Sequence, residues 1–586
     1  MAPWWHNPRT MTSQTHVVAA APAEPPPTPA SSDDRLRLGR PGLAAATVAG
    51  LAAVASSLWS GMNADVTYAL GGIETAGRGG VSVFDVFVAR PLAYRLLMWL
   101  VELPVGDDAP IRVAHLLTRL SASLLVVAVT VVLFLGLRRF LDSRAAGFIA
   151  AATGLSLVIA PPWHFLEPDW VAVLAVALAV GAACAPRRVW LGAVLGGFCV
   201  LLTVAVKLAT APLALLALIM VAVLNWRRAA WATAAAAALT VVWYVATKAL
   251  LPWENIWLGD QAALVVDSPI HHGVRWEDIY RLLRGIGDVA LLSPLVAVAP
   301  AAAAVLVRRL RPGRPRWIGT GVAVAAAGLS VAPAYGQGEF FMYHFAPVPV
   351  LAAAVCAAAF ALCPGARTPL LAVTTVFVVA SFVLLRQSPQ WRLDHVIAVT
   401  MTYAVVALIA AVAAWHLDGR RLRAVPAAAM AVVLIAGMVL ATLPRAPYAF
   451  SGYNQEVLND KPSAPGYAEL RERIGPDTPV MYFSFASVNY DLGNPTACRY
   501  PSPQWLQRAA KPGNPSAGFR SYADNLKCLT EDTKSRYLIW QWQWFSIATS
   551  SEEVKALVAK RFDCSLKARI PGPRELVVCP THRWIK

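Results

Sequence analysis

Charge is what this chain lacks. Of its 586 residues only 15% are Asp, Glu, Lys or Arg, whereas 57% are hydrophobic and the mean hydropathy is +0.52. So few charges cannot coat a water-soluble body of this length, which excludes a soluble globular enzyme and implies a polytopic integral membrane protein. Acidic residues are also missing from one side of the pattern: between positions 61 and 443, only Asp142 and Asp418 lie beside the basic clusters. The sequence holds no P-loop, no metal-cluster spacing and no usable internal repeat. The N-terminal stretch has no apolar run close to its start and contains APAEPPPTPASSDD, so it reads as a disordered cytoplasmic tail, 1–41, and not as a cleaved signal peptide.

What is present is an alternation. Apolar segments fill 42–443, and Arg clusters occupy every second junction: Arg35/Arg37/Arg40, Arg138/Arg139, Arg187/Arg188, Arg227/Arg228, 308–316, Arg367 and Arg420/Arg421/Arg423. The positive-inside rule makes that side cytoplasmic. A span needs roughly 17 to 25 apolar residues, which gives about thirteen transmembrane helices. They fall near 43–60, 113–137, 145–161, 170–184, 189–206, 208–224, 229–250, 289–307, 317–335, 345–363, 370–385, 395–415 and 424–443. An odd number places the tail, 444–586, outside. The net charge of +17 is spread over short loops and not along one face, so it reads as topogenic charge and attraction to anionic membrane lipid, with no nucleic-acid partner.

The fold class expected is therefore a polytopic α-helical membrane protein with a C-terminal extracytoplasmic α/β domain. In the tail, PGYAELRERIG and SEEVKALVAKRF read as helices, and PVMYFSF, RYLIWQWQWF and ELVVCP as strands. Cys184, Cys199, Cys356 and Cys363 sit in or beside apolar segments as small hydrophobes. Cys498, Cys528, Cys564 and Cys579 all lie in the tail, where an oxidising compartment would make two disulfides. Three pairings are open. Cys564 with Cys579 is favoured, because the residues between them read as two strand-like runs about a Pro-Gly-Pro turn; Cys498 with Cys528 then follows by elimination. Four free thiols are the alternative.

The candidate chemistry lies on the outer side. Long loops at 61–112 and 252–288 carry an interfacial helix, RPLAYRLLMWLVELPV, and a Trp-rich segment suited to the outer leaflet surface. Asp65, just after the first span, could be a general base or an ordinary solvated carboxylate, and Asp85 is a second candidate of the same kind. Glu167 and Asp169 flank Pro168 in a short connection; they could hold a divalent cation or a sugar hydroxyl, or simply favour a helix start. Lys207, in a short outer turn, could bind a lipid phosphate or snorkel to headgroups. His344, in an aromatic junction, could contact phosphate or belong to the interfacial belt; Arg386 and Arg392 are further outer cations that could meet phosphate.

At Asp65, at the RPLAYRLL run, at Lys207 followed by Pro212, and at FFMYHFAPVPV, the chain resembles the GT-C superfamily of membrane glycosyltransferases. These are polyprenyl-phosphate-sugar-dependent enzymes related to protein mannosyltransferases and lipid A aminoarabinose transferases. The tail's CRYPSPQW is similar to a short Arg-Tyr-Pro segment of some bacterial members. The resemblance implies that Asp65 is the catalytic base and that Glu167, Asp169 and Asp85 assist the acceptor or a divalent cation such as Mg or Mn. Beside it, their placement on the outer side makes Lys207, His344, Arg386 and Arg392 the candidates to hold the donor phosphate. Many relatives carry an adjacent acidic pair in the first loop, whereas Val66 follows Asp65 here, a departure that bears on metal use. The implied activity is inverting transfer of a hexose or pentose from a polyprenyl-phosphate sugar to a glycan, lipid or protein acceptor. It would occur at the outer face of the plasma (bacterial inner) membrane. A lipid or sugar transporter or flippase and a non-catalytic cell-envelope assembly protein are the alternatives.

Overall fold

The computed structural model describes residues 40–58, 60–106, 109–266, 269–417, 427–440 and 466–582. The expected N-terminal tail, the Arg420/Arg421/Arg423 cluster, most of the ends of the last apolar segment and the start of the C-terminal region lie outside the described residues. The helices before the tail are α1 (Arg40–Leu58), α2 (Ala64–Arg78), α3 (Leu92–Glu102), α4 (Ile111–Leu137), α5 (Ser143–Val158), α6 (Pro168–Cys184), α7 (Val189–Ala205) and α8 (Ala211–Leu250). They continue as α9 (Pro252–Ala263), α10 (Trp276–Leu292), α11 (Leu295–Arg308), α12 (Arg314–Gln337), α13 (Pro347–Leu362), α14 (Arg367–Leu384), α15 (Pro389–Leu417) and α16 (Ala427–Val439).

Among the described residues, seven helical segments are long and apolar enough to cross a membrane, or eight if α10 and α11 count as one bent span. Helices α5, α6 and α7 and the described part of the last segment are apolar but shorter. Length alone therefore does not give the expected thirteen crossings. Two segments expected as separate spans, 208–224 and 229–250, form the two halves of α8, broken at Asn225 (φ −159°, ψ 104°), whose side chain accepts the Arg228 amide at 3.1 Å and caps the second half. The span expected at 289–307 is corrected: α10 and α11 meet at a 95° bend. Pro294 lies at that junction and offers no amide proton to continue α10.

The basic junctions gather at one end, where guanidinium groups hydrogen-bond carbonyls at the ends of neighbouring helices. Arg228 donates to the carbonyls of Ala183 (2.7 Å) and Pro186 (2.9 Å), Arg367 to that of Phe360 (2.9 Å), and Arg308 and Arg309 to those of Trp415 and Leu362. Cations belong there because a helix C-terminus carries unsatisfied carbonyls and partial negative charge.

At the opposite end the first long loop folds back as α2 and α3, and the tail packs on it. Gly71 is required by this contact, since a Cβ there would lie 2.3 Å from the Tyr490 backbone nitrogen. The Phe87 amide donates to the Arg499 carbonyl at 2.8 Å. The Phe87 ring sits 5.2 Å from Trp257, 5.4 Å from Tyr500 and 5.4 Å from Trp505, pairs worth about 0.5–1.5 kcal/mol each beyond burial. The expectation that the second long loop lies on the leaflet surface is corrected for α9. Trp257 is buried and donates to the Tyr500 hydroxyl at 3.0 Å, while Glu254 pairs with Arg95 at 2.8 Å, so α9 is clamped between the first loop and the tail.

The tail holds a three-stranded sheet ordered β1 (Val480–Phe483), β2 (Tyr537–Gln541), β3 (Leu576–Pro580), with β1 parallel to β2 and β2 antiparallel to β3. Helices occupy Tyr467–Ile474 and Glu552–Arg561, as the sequence predicts. The strand expected across RYLIWQWQWF ends at Gln541, and the following Trp-Gln-Trp turns away. Both expected disulfides form, Cys498 with Cys528 and Cys564 with Cys579.

Candidate functional site

Two backbone kinks begin the site. Ala89 (φ 53°) and Leu166 (φ 63°) adopt left-handed conformations that side chains other than Gly disfavour, and each immediately precedes a charged residue, Arg90 and Glu167. Such strain persists only where surrounding bonds over-determine it, and it clusters at functional sites. Here the Tyr94 hydroxyl donates to the Leu166 carbonyl at 2.8 Å, while Arg95 donates to the Arg90 carbonyl at 2.9 Å. The Arg95 guanidinium is itself fixed by Glu254, whose other oxygen accepts the Leu92 amide at 2.7 Å. His164 completes the frame by donating Nε2–H to the Met342 carbonyl at 2.9 Å, and burial holds its pKa down to about 4, so it is neutral at pH 7.

On this frame the structure assembles a row of charged side chains. Asp65, in the first turn of α2 behind an Asn63 cap, accepts from Arg90 Nη2 at 3.1 Å and keeps 30% of its side chain exposed. Glu167 caps the start of α6, is wholly buried, and neither of its carboxylate oxygens has a hydrogen-bond partner. Burial first, and then the negative charge of Asp65, push its pKa well above the usual carboxylate range despite Arg90 and Lys207. The Arg90 pKa is raised as well: burial favours its neutral form, but the negative charge beside it, Asp65 first, holds its proton more tightly.

Asp169, in the first turn of α6 and fully buried, receives Lys207 Nζ on Oδ2 at 3.2 Å, His344 Nδ1 on the same oxygen at 3.2 Å, and Gln337 Nε2 on Oδ1 at 3.5 Å. With Nδ1–H given to Asp169, His344 turns an unpartnered, buried Nε2 lone pair toward its surroundings. The row thus holds two cations, each beside one carboxylate, and a third carboxyl whose burial favours its protonated form. Lys207, with a fifth of its side chain exposed, and Arg90 are both reachable.

Asp65, Glu167, Asp169, Lys207 and His344, all predicted from the sequence, come together in this row. Asp85, Arg386 and Arg392 do not join it. Asp85 is exposed in the turn before Arg90, Arg386 lies 4.1 Å over the Phe382 ring, and Arg392 is buried on α15 within electrostatic reach of Asp288. Sequence reasoning gave no site role to Arg90, Gln337 or Tyr94; Arg90 and Tyr94 lie in the RPLAYRLL run, read there only as an interfacial helix, and no spacing or motif marks Gln337. The donor set does not fit a divalent cation: Asp169 is taken up by Lys207, His344 and Gln337, a cation already faces Asp65, and among the described residues no group of three or more His, Cys, Asp or Glu could hold a metal.

No family model and no curated protein sequence matches the chain. Solved structures are similar to it. ArnT from Cupriavidus metallidurans in the apo state shares 14% identity over 92% of this chain and 96% of that one, with a TM-score of 0.46. The same protein bound to undecaprenyl phosphate shares 15% over 92% and 97%, with a TM-score of 0.48. The archaeal oligosaccharyltransferase AglB from Archaeoglobus fulgidus, in complex with an inhibitory peptide and a dolichol-phosphate, shares 12% over 93% of this chain and 75% of that one, with a TM-score of 0.33.

Proposed function

We propose that this protein is an inverting membrane glycosyltransferase that moves a sugar from a polyprenyl-phosphate donor to an acceptor at the outer face of the plasma membrane. The observation that carries the reading is the row from Asp65–Arg90 through Glu167 to Asp169–Lys207–His344, set at the end of an apolar bundle opposite the arginine-rich end. A lipid-linked donor delivers its phosphate to that boundary, where Lys207 and Arg90 offer charge-assisted hydrogen bonds to it. Asp169 positions Lys207 and His344, because its buried Oδ2 accepts from both.

In the proposed step, Asp65 accepts the proton of an acceptor hydroxyl while that oxygen attacks the anomeric carbon from the face opposite the phosphate. The new carbon–oxygen bond forms as the bond to the phosphate oxygen breaks, and polyprenyl phosphate leaves with its charge paired by Lys207 and Arg90. No step runs through a metal ion.

The broken α10–α11 segment favours a second reading, a transporter of lipid-linked sugar, because interrupted helices line transport sites. The cavity beside the break is lined by Trp163, Met342, Met438 and Ser293, with neutral His164 and no carboxylate or lysine, which suits packing more than a charged headgroup. Purified protein in lipid with polyprenyl-phosphate sugars separates the two. A transferase releases polyprenyl phosphate and glycosylates an acceptor, and Asp65→Asn abolishes release while donor still binds. Transport without release would sink the transferase reading, and release by Asp65→Asn would sink the base assignment.

A further inference from the structure

The reaction leaves unused a set of side chains beyond Asp65, where α2 meets the tail. Tyr68 follows Asp65 by three positions, so the two share a helix face. The Tyr68 ring packs 4.9 Å from Phe485, and Phe485 lies 6.1 Å from Trp544. Amides accompany these rings: the Tyr68 hydroxyl donates to Gln504 Oε1 at 3.4 Å, Gln507 Nε2 donates to the Trp544 carbonyl at 3.3 Å, and Gln541 Oε1 accepts the Phe485 amide at 3.0 Å. Arg508, on the same short helix as Gln504 and Gln507, lies within electrostatic reach of Tyr68, as do Asp65 and Arg90.

Burial sets this group apart from a core. Tyr68 is buried, but Phe485, Trp544, Gln504, Gln507 and Arg508 are only partly covered, and Trp542, in the same turn as Trp544, is 51% exposed. Half-open aromatic faces flanked by amide and guanidinium donors match a sugar ring, whose C–H face stacks on aromatics and whose hydroxyls pair with planar polar groups.

We propose that this face of the tail is the acceptor subsite and that the acceptor is a glycan chain, its end hydroxyl reaching Asp65 while a preceding sugar stacks on Phe485 and Trp544. The assignment rests on the reading of Asp65 as the base. It narrows the acceptor to one chemical class and gives the tail a function in recognition.

The test is calorimetric titration of the full-length protein in lipid nanodiscs with linear tetrasaccharides of mannose, glucose, galactose and arabinose. At least one should bind saturably. Gln507→Ala and Trp544→Phe should weaken that binding about tenfold, the scale of one lost hydrogen bond or a poorer stack. Trp542 is half exposed, so Trp542→Ala disturbs the tail less than a change at a buried ring, and it should weaken binding too. Saccharide binding with this mutational pattern but no donor consumption would uphold the glycan site and remove the transferase reading. The proposal is overturned if none of the four saccharides binds, or if binding is unchanged in all three tail variants. Transfer to a lipid or peptide acceptor that those variants leave untouched overturns it as well.

Discussion

Replacing Glu167 with Gln should make the protein more stable, and increasingly so as pH rises. Glu167 is fully buried, with two unpartnered oxygens, and burial followed by the charge of Asp65 raises its pKa well above 4.5. Below about pH 4.5 the carboxyl is protonated both folded and unfolded, so the wild type and Glu167→Gln should be alike. Above that value the unfolded chain releases its proton while the folded chain keeps it, and wild-type stability falls by about 1.4 kcal/mol per pH unit until the folded pKa is reached. Gln has nearly the same shape, leaves polar atoms in the same unpartnered place, and does not titrate. Between pH 5 and pH 7 the gap between variant and wild type should therefore widen. Thermal unfolding of the two proteins in the same detergent across that pH range reads the gap directly. Melting curves that stay parallel from pH 5 to pH 7 would refute the reasoning, since they would mean that Glu167 titrates alike folded and unfolded.

Asp65→Asn should lower transfer by about 100- to 10,000-fold, the usual scale for losing a positioned base, with donor affinity little changed in an equilibrium binding assay. Lys207→Met should weaken donor binding and also destabilise the fold by roughly 3–5 kcal/mol, because Asp169 is left buried without its cation; adding Asp169→Asn should recover most of the melting temperature and none of the donor affinity. Arg95→Met should release α9 from the first loop at a similar cost by stranding Glu254, visible as faster proteolysis within 252–263. Removing the Cys564–Cys579 disulfide, which closes a loop of 15 residues, should cost about 3 kcal/mol of tail stability, measured by limited proteolysis or unfolding under reducing conditions.

The helices were legible because apolar runs and arginine junctions are local properties. The break in α8 shows in the Asn225 to Arg228 stretch, and the Cys564–Cys579 disulfide shows in the strand-like runs around its cysteines, which leaves Cys498 to pair with Cys528. Asp65, Glu167, Asp169, Lys207 and His344 were legible as outer-side exceptions to a simple charge rule. The bend between α10 and α11 was hidden because hydropathy averages straight across Pro294. Trp253 and Trp257 misled for a related reason: an aromatic at a membrane surface and one packed against another domain have the same composition. Arg499 stacking over Trp253 at 5.3 Å and Tyr500 accepting from Trp257 decide the matter, and both lie more than two hundred residues away.

By itself the sequence determined a membrane bundle with its cations on one side and its acids on the other, because insertion reads hydropathy and charge along the chain. Which acids share a site was decided only by the tertiary structure. Asp65 meets Arg90 across 25 residues, Asp169 meets Lys207 across 38 and His344 across 175, and Arg95 meets Glu254 across 159. Those separations carry no local signal. The pairs form because buried charges must find partners, and only the packed bundle with its tail in place brings those partners within reach.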